Sequence, residues 1–196
     1  MKPVLGNSLA GKNIRYLLCD TWGKTEPELE GGEWVQSPIQ CLDRAVETKP
    51  NIIVVRFWQM PIREREALVD LCTTLKWNSY TRKIPVLALL HAKHRGLIED
   101  LQHADVDFAR FFSERSLNSG RMIEIIGSLG AKDRVERQLK MLCPYLHYDA
   151  IDAKCEMILC GAYKDRMVLG GKWLHKMCET GEHLHCEYYL KPRVKS

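Results

Sequence analysis

Residues 45–61 read AVETKPNIIVVRFWQMP, and this stretch decides the fold. Its centre, Asn51 to Val55, is a β-branched apolar run between Pro50 and Pro61. A run this short and this apolar is typical of a strand buried on both faces, as in a parallel sheet. The preceding residues 38–48 have apolar side chains at helical spacing. The stretch therefore predicts a helix followed by a buried parallel strand.

The same alternation of strand and helix continues on both sides of this stretch. Further apolar runs predict strands over residues 16–19, 85–90 and 106–111, with a short edge strand over 33–36. Helical spacing is found over residues 64–76, 96–103 and 116–130, the last with Ser116 as its N-cap. Alternating strands and helices form right-handed β-α-β units. We therefore expect an α/β domain with one parallel sheet covered by helices on both faces.

Three segments resemble the receiver domain of bacterial response regulators. They are AVETKPNIIVVRFWQMP from Ala45, KIPVLALLHA from Lys83 and LIEDLQHADVDFARFF from Leu97. The resemblance covers roughly residues 13–130. It implies a flavodoxin-like, doubly wound sheet of five parallel strands, and a role in two-component signal transduction.

The chain departs from the receiver pattern at the positions that carry phosphoryl transfer. In the family, the acceptor is an aspartate at the end of the third strand. That position falls on Arg56, or on Phe57 when counted back from the Met-Pro pair. The hydroxyl residue after the fourth strand falls on Leu90, and the lysine after the fifth strand falls near Phe111.

The acidic pair after the first strand is also incomplete, because Cys19 takes one position and only Asp20 remains. One carboxylate is not enough to hold Mg²⁺ as the acid cluster of receivers does. We therefore expect phosphorylation to be absent. A loop over residues 21–32 replaces the family's first helix, so the usual surface for a histidine kinase or phosphotransfer partner is altered.

The C-terminal part of the chain concentrates sulfur and imidazole. Five of the eight cysteines lie there, with His147, His175, His183 and His185 between them. In a reducing cytosol such cysteines are better explained as metal ligands than as disulfides. A short segment with few large aliphatic residues gains stability from a bound metal, about 10–16 kcal/mol in zinc fingers. We therefore divide the chain into a receiver-like domain (13–130), a connecting helix (131–142) and a cysteine-rich metal-binding module (143–196).

Strand geometry selects among the five cysteines. Cys155 and Cys160 are five residues apart in a predicted strand, so their side chains point to opposite faces and should not bind one ion. We predict that the ligands are Cys143, Cys155, Cys178 and Cys186, with Cys160 as a packed thiol. A histidine ligand, His183 or His185 first, is the alternative.

The kind of metal centre is left open by the sequence, because four thiolates suit either Zn²⁺ or a [4Fe–4S] cluster. The spacing contains no C-x2-C knuckle of the kind found in zinc ribbons. The segments CPYL and HCEYY resemble small cysteine-rich modules appended to bacterial and archaeal signalling proteins.

Composition narrows the class of function. The chain has 196 residues, is 45% hydrophobic and carries a net charge of +4. It has no apolar run long enough for a membrane span and no export signal, so we expect a cytoplasmic protein without a membrane partner. Acidic and basic residues interleave, which argues against a nucleic-acid partner.

We therefore expect a non-enzymatic regulatory protein: a phosphorylation-incompetent pseudo-receiver coupled to a Cys-ligated metal site, acting through a protein partner. A homodimer is one option for its oligomeric state. Two alternatives come from other classes, an iron-sulfur redox sensor or electron carrier, and a DNA-binding transcriptional regulator.

Overall fold

The computed structural model describes residues 14–23, 30–115, 117–163 and 167–193. Five of its strands form a parallel sheet in the order β2-β1-β3-β4-β5. They are β1 (Tyr16–Cys19), β2 (Gly32–Val35), β3 (Ile52–Phe57), β4 (Val86–Leu90) and β5 (Phe108–Phe111). This strand order, which reverses direction beside β1, is that of flavodoxin-like folds. The predicted five-stranded parallel sheet is confirmed.

Helices flank this sheet. They are α1 (Pro38–Thr48), α2 (Ile62–Trp77), α3 (Arg95–His103), α4 (Ser119–Gly127) and α5 (Val135–Lys140), with a 3-10 turn at Ala131–Asp133. The Ser37 side chain caps α1, and Asn118 caps α4 by accepting from the Arg121 amide. The predicted cap Ser116 and the middle of the loop after β1 lie outside the described residues. No helix in the described ranges is both long and apolar enough to cross a membrane.

Successive strand residues point to opposite faces, so the sheet has two apolar cores. On one face Ile53 and Val55 pack with α2 and α3, among them Leu68 and Leu101. On the other face Val54 and its neighbours pack with the apolar side of α4. Burial on both faces explains why β3 is apolar along most of its length.

The segment predicted as a connecting helix packs against the sheet unit. Val135 of α5 is 1% exposed and belongs to the same core as β3 and β4. Arg110 of β5 donates from Nε and Nη2 to the two carboxylate oxygens of Asp133, both at 2.9 Å. The segment is therefore folded onto the first unit, because its apolar residues at helical spacing find partners there.

The C-terminal unit is a small antiparallel sheet followed by short helices. Its strands pair in the order β6-β7-β8, with bounds Leu146–Ala150, Glu156–Cys160 and Met167–Val168. The helical turn α6 (Gly171–Trp173) continues as a π-turn (Leu174–Cys178), a 3-10 turn (Gly181–His185) and α7 (Glu187–Leu190). Three of the seven fully buried core residues described here are cysteines.

Candidate functional site

The carboxyl edge of the parallel sheet carries a buried ion pair. Asp20 directly follows β1, and Arg56 lies near the end of β3. Arg56 Nη1 donates to Asp20 Oδ2 at 2.8 Å, and each side chain is only 5% exposed. Arg56 Nη2 donates to the carbonyls of Glu114 and Arg115, at 2.9 and 2.8 Å. The Arg56 guanidinium of β3 therefore binds the two segments that follow β1 and β5.

The second carboxylate oxygen of Asp20 is bound to the backbone. Oδ1 accepts hydrogen bonds from the amides of Trp22 and Gly23, both at 3.1 Å. Bonds from an aspartate to amides two and three residues on are typical of tight turns. Both oxygens of Asp20 therefore have partners within the protein.

Aromatic rings cover the ion pair. The Arg56 guanidinium lies 4.6 Å from the Trp58 ring centroid. Trp58 in turn lies 5.9 Å from Trp22 and 4.1 Å from His91, between ring centroids. Open parallel sheets bind ligands just beyond the carboxyl ends of their strands. Here that crevice is filled by the protein's own side chains, with cation-π contacts at its centre.

The other positions of the receiver pattern are apolar. Leu90 ends β4 and is fully buried, and Phe111 ends β5. A cation is nearby, because Lys93 Nζ lies 5.7 Å from the Phe111 ring centroid. That ammonium donates to the carbonyl of Glu179 at 2.8 Å and so contacts the C-terminal unit.

A second polar cluster joins the two units at Glu156. This residue begins β7 and accepts two hydrogen bonds from the Arg65 guanidinium of α2, each at 2.7 Å. His94 Nε2 lies 3.0 Å from the same carboxylate. The other ring nitrogen of His94 accepts from the Leu97 amide at 2.9 Å and caps α3. Because Nδ1 accepts, the ring proton sits on Nε2 and points at Glu156.

Tyr148 of β6 extends the same contact. Its ring stacks on His94 with 3.7 Å between ring centroids, and its hydroxyl accepts from the Arg95 amide at 3.0 Å. Burial raises the pKa of Tyr148 to about 12, so the hydroxyl stays neutral. Sequence reasoning missed this cluster, because its residues come from four elements and form no local motif.

Replacing Glu156 with glutamine is expected to reduce the free energy of unfolding by about 1.5–3 kcal/mol at neutral pH, the range for hydrogen bonds to charged groups. The Arg65 guanidinium lowers the pKa of the Glu156 carboxyl, with His94 adding to the effect and burial opposing it. Because the pKa of Glu156 is lower in the folded state, the ionised carboxylate stabilises the protein at pH values above the unfolded-state pKa, about 4.3 for glutamate. This contribution is lost as the pH falls through the folded-state pKa.

Urea unfolding of wild type and variant between neutral and acidic pH measures this difference. The gap between the two proteins should narrow below about pH 4, near the glutamate reference pKa. Glu66→Gln, an exposed neighbour of Arg65 on α2, is the matched control and should change stability by less than about 0.5 kcal/mol. A gap that is constant across this range would contradict the assigned ion pair.

The structure brings three of the four cysteines predicted as ligands near one another and leaves the fourth, Cys155, apart from them. Cys143, Cys178 and Cys186 are buried near one another, and Cys160 completes the group. Cys155 is exposed before β7, whereas Cys160 at its end is 7% exposed. The predicted strand from Cys155 to Cys160 begins one residue later in the structure, at Glu156, so Cys155 lies in the preceding turn and strand alternation does not relate it to Cys160.

The two histidines named as alternative ligands have other contacts. His183 is buried, and its Nδ1 lies 2.6 Å from the carbonyl of Thr180. His185 is exposed and lies 3.7 Å from a carboxylate oxygen of Glu182. In the part of the chain that the structure describes, no group of three or more His, Cys, Asp or Glu side chains is arranged to hold a metal ion as it stands.

The fold and its strand-end geometry thus define a flavodoxin-like domain whose ligand crevice is closed by its own side chains. No protein-family model matches the chain, and no curated protein matches it.

Solved structures similar to this chain are response regulators. One, from Desulfuromonas acetoxidans, has 20% sequence identity and a TM-score of 0.40, over 58% of this chain and 93% of that chain. The N-terminal domain of a response regulator receiver protein from Methanoculleus marisnigri JR1 has 16% identity and a TM-score of 0.38, over 58% and 93%. The phosphorylated cyanobacterial phytochrome response regulator RcpA has 13% identity and a TM-score of 0.39, over 58% and 89%. The fold class rests on the strand order and not on these similarities.

Proposed function

We propose that this chain is a non-enzymatic signalling protein, a pseudo-receiver that does not accept a phosphoryl group and acts by binding a protein partner. The observation that carries the proposal is the buried Arg56–Asp20 ion pair. It lies at the strand end where the sequence resemblance to receivers would put the phosphoryl site.

Phosphoryl transfer to an aspartate needs a carboxylate acceptor and a Mg²⁺ ion held by further carboxylates and the phosphoryl oxygens. The oxygens of Asp20 are already bound by Arg56 and by two backbone amides. A divalent cation would have to displace the guanidinium and then lie beside it, which like-charge repulsion opposes in a buried site. Neither Arg56 nor Phe57 has an oxygen that could form an acyl phosphate.

Exposed apolar side chains on the sheet unit support a protein partner. Trp77 is 81% exposed, Tyr80 is 69% exposed, and Ile39 is 76% exposed. Aromatic residues are enriched at protein-protein interfaces relative to the rest of the surface. The contacts at Glu156 supply a physical link through which a change in one unit can bias the other.

Incubation of the full chain with Mg²⁺ and radiolabelled acetyl phosphate tests the phosphorylation part of the proposal. We expect no stable label, because the strand end offers no free carboxylate. Addition of Mg²⁺ alone should leave the fluorescence of Trp58 and Trp22 unchanged, since both rings lie over the site and would report binding.

A phosphorylatable response regulator in a parallel reaction shows that the reagent is active. Stoichiometric label that survives gel filtration and is lost at alkaline pH, as expected for an acyl phosphate, would overturn the proposal. Label on a denatured sample of the same chain would instead identify nonspecific acetyl phosphate chemistry.

A further inference from the structure

The C-terminal unit gathers four thiols from four separate segments. Cys143 lies in the turn before β6, Cys160 ends β7, Cys178 ends the π-turn, and Cys186 precedes α7. All four are between 5% and 8% exposed, and they are free thiols. The Cys143 amide donates to the Cys178 carbonyl at 2.8 Å, which joins two of these segments directly.

The two turns that carry Cys143 and Cys160 are also joined. The Gly161 amide donates to the carbonyl of Tyr145 at 2.7 Å. A Cβ atom at Gly161 would lie 2.3 Å from the His147 ring, so the glycine permits this close approach of the two turns. Cys143 and Cys160 accordingly belong to the same buried cluster.

The four thiols belong to one buried group. Cys143, Cys160 and Cys178 lie in the same apolar cluster, and Cys186 lies within electrostatic range of each of them. Four buried sulfur atoms close together match the ligand set that a thiophilic metal prefers.

The core of this unit is small. Beside Cys143, Cys160 and Cys178, its buried members among the described residues are Leu146, Ala162, Leu169 and Leu174, and the side chains packed around them are partly buried and mostly tyrosine or methionine. So few aliphatic side chains bury little apolar surface, and domains of this size usually add disulfides or a metal. No disulfide joins the described cysteines.

We propose that Cys143, Cys160, Cys178 and Cys186 bind one thiophilic metal centre, either a single Zn²⁺ ion or a [4Fe–4S] cluster. Both are held by four thiolates. The four thiols do not stand in binding geometry as described, so they close on the metal as it binds. Such closure follows from the coupling of folding and metal binding in small metal domains. Cys155 is not a ligand, because it is exposed in the turn before β7.

Metal analysis of the full chain, purified without oxygen, is the first test. About one zinc or about four irons per chain would support the proposed site. An iron-sulfur cluster would also give visible absorbance. If the isolated protein holds no metal, Zn²⁺ alone is added to the reduced chain, and Co²⁺ alone serves as a spectroscopic probe for tetrahedral thiolate binding. Absence of zinc, iron and any Zn²⁺ or Co²⁺ binding would overturn the proposal.

Two cysteine variants, one at the end of β7 and one in the turn before it, assign the ligands. Cys160→Ser should weaken metal binding by more than about 100-fold. Replacing a residue that only hydrogen-bonds to a metal ligand usually costs about 10- to 100-fold in affinity, and losing a ligand itself should cost more. Cys155→Ser is the matched control and should change affinity by less than about twofold, since a residue that is not a ligand leaves the coordination intact. The reverse result, binding lost with Cys155→Ser and kept with Cys160→Ser, would overturn this ligand set.

Thiol alkylation of the wild-type chain avoids the problem of a variant that fails to fold. Metal should protect Cys143, Cys160, Cys178 and Cys186 from iodoacetamide, as located by mass spectrometry, while Cys155 reacts with and without metal. Protection of Cys155 would contradict the proposal.

The inference does not rest on the proposed function, because a phosphorylated chain could still bind metal and an unphosphorylated chain could lack it.

Discussion

Replacing Arg56 with alanine is expected to lower the free energy of unfolding by about 3–5 kcal/mol, the usual cost of removing one partner of a buried ion pair. The truncation leaves the Asp20 carboxylate buried without its cation. It also removes the donors to the carbonyls of Glu114 and Arg115. Urea unfolding of the full chain, followed by tryptophan fluorescence and circular dichroism, measures the change.

A double variant separates the lost pair from lost packing. Arg56→Met with Asp20→Asn removes both charges, keeps most of the side-chain volume and leaves an amide oxygen for the Trp22 and Gly23 backbone. Replacing both members of a buried pair is often nearly neutral. We expect the double variant to be more stable than Arg56→Met alone by at least about 1 kcal/mol, a typical coupling energy for residues in contact. A single variant as stable as wild type would contradict the assigned role of the pair.

If the C-terminal unit binds a metal as we propose, removing that metal should unfold the unit while the parallel sheet stays folded. This effect is large because the small core of the unit depends on its cysteines, whereas β3 and β4 are buried between helices on both faces. Hydrogen exchange on the metal-loaded chain, before and after a chelator, measures it. Amides of β6 and β7 should lose protection by more than about 100-fold, and those of β3 should change little, because local units open independently.

The Cys155→Ser variant is the control for this measurement, and its protection before chelation should match that of the wild type. Equal loss of protection in β3 and β7 would show that the two units unfold together through the contacts at Glu156. Unchanged protection in β7 after complete metal removal would show that the metal does not hold the unit together.

Much of the parallel sheet could be predicted from the sequence, because each strand and helix has a local pattern. The apolar run before Arg56 is buried on both faces as predicted, and the helix over residues 38–48 has the bounds of α1. The packing of the segment after residue 130 could not be predicted from its pattern. Its spacing indicates a helix but does not indicate what that helix packs against, and Val135 joins the first core.

The expected absence of phosphorylation is also a prediction from single positions, but the contacts that those positions make are not predictable in this way. Sequence reasoning identifies Arg56 as a departure from the receiver pattern and Asp20 as the one acidic residue of that pattern that remains. It does not show that they bind each other, since 36 residues separate them and the bond forms only when β1 and β3 pair. The contacts of Glu156 with Arg65 and His94 depend on packing between units in the same way.

The cysteines divide what the sequence determined from what the tertiary structure decided. The sequence by itself determined that sulfur is concentrated in the C-terminal part of the chain, because this follows from composition alone. Only the tertiary structure decided which of Cys155 and Cys160 is buried. That choice depends on the pairing of β6 with β7 and on the turns beyond them, which place Cys160 beside Cys143 and Cys178 and leave Cys155 in solvent.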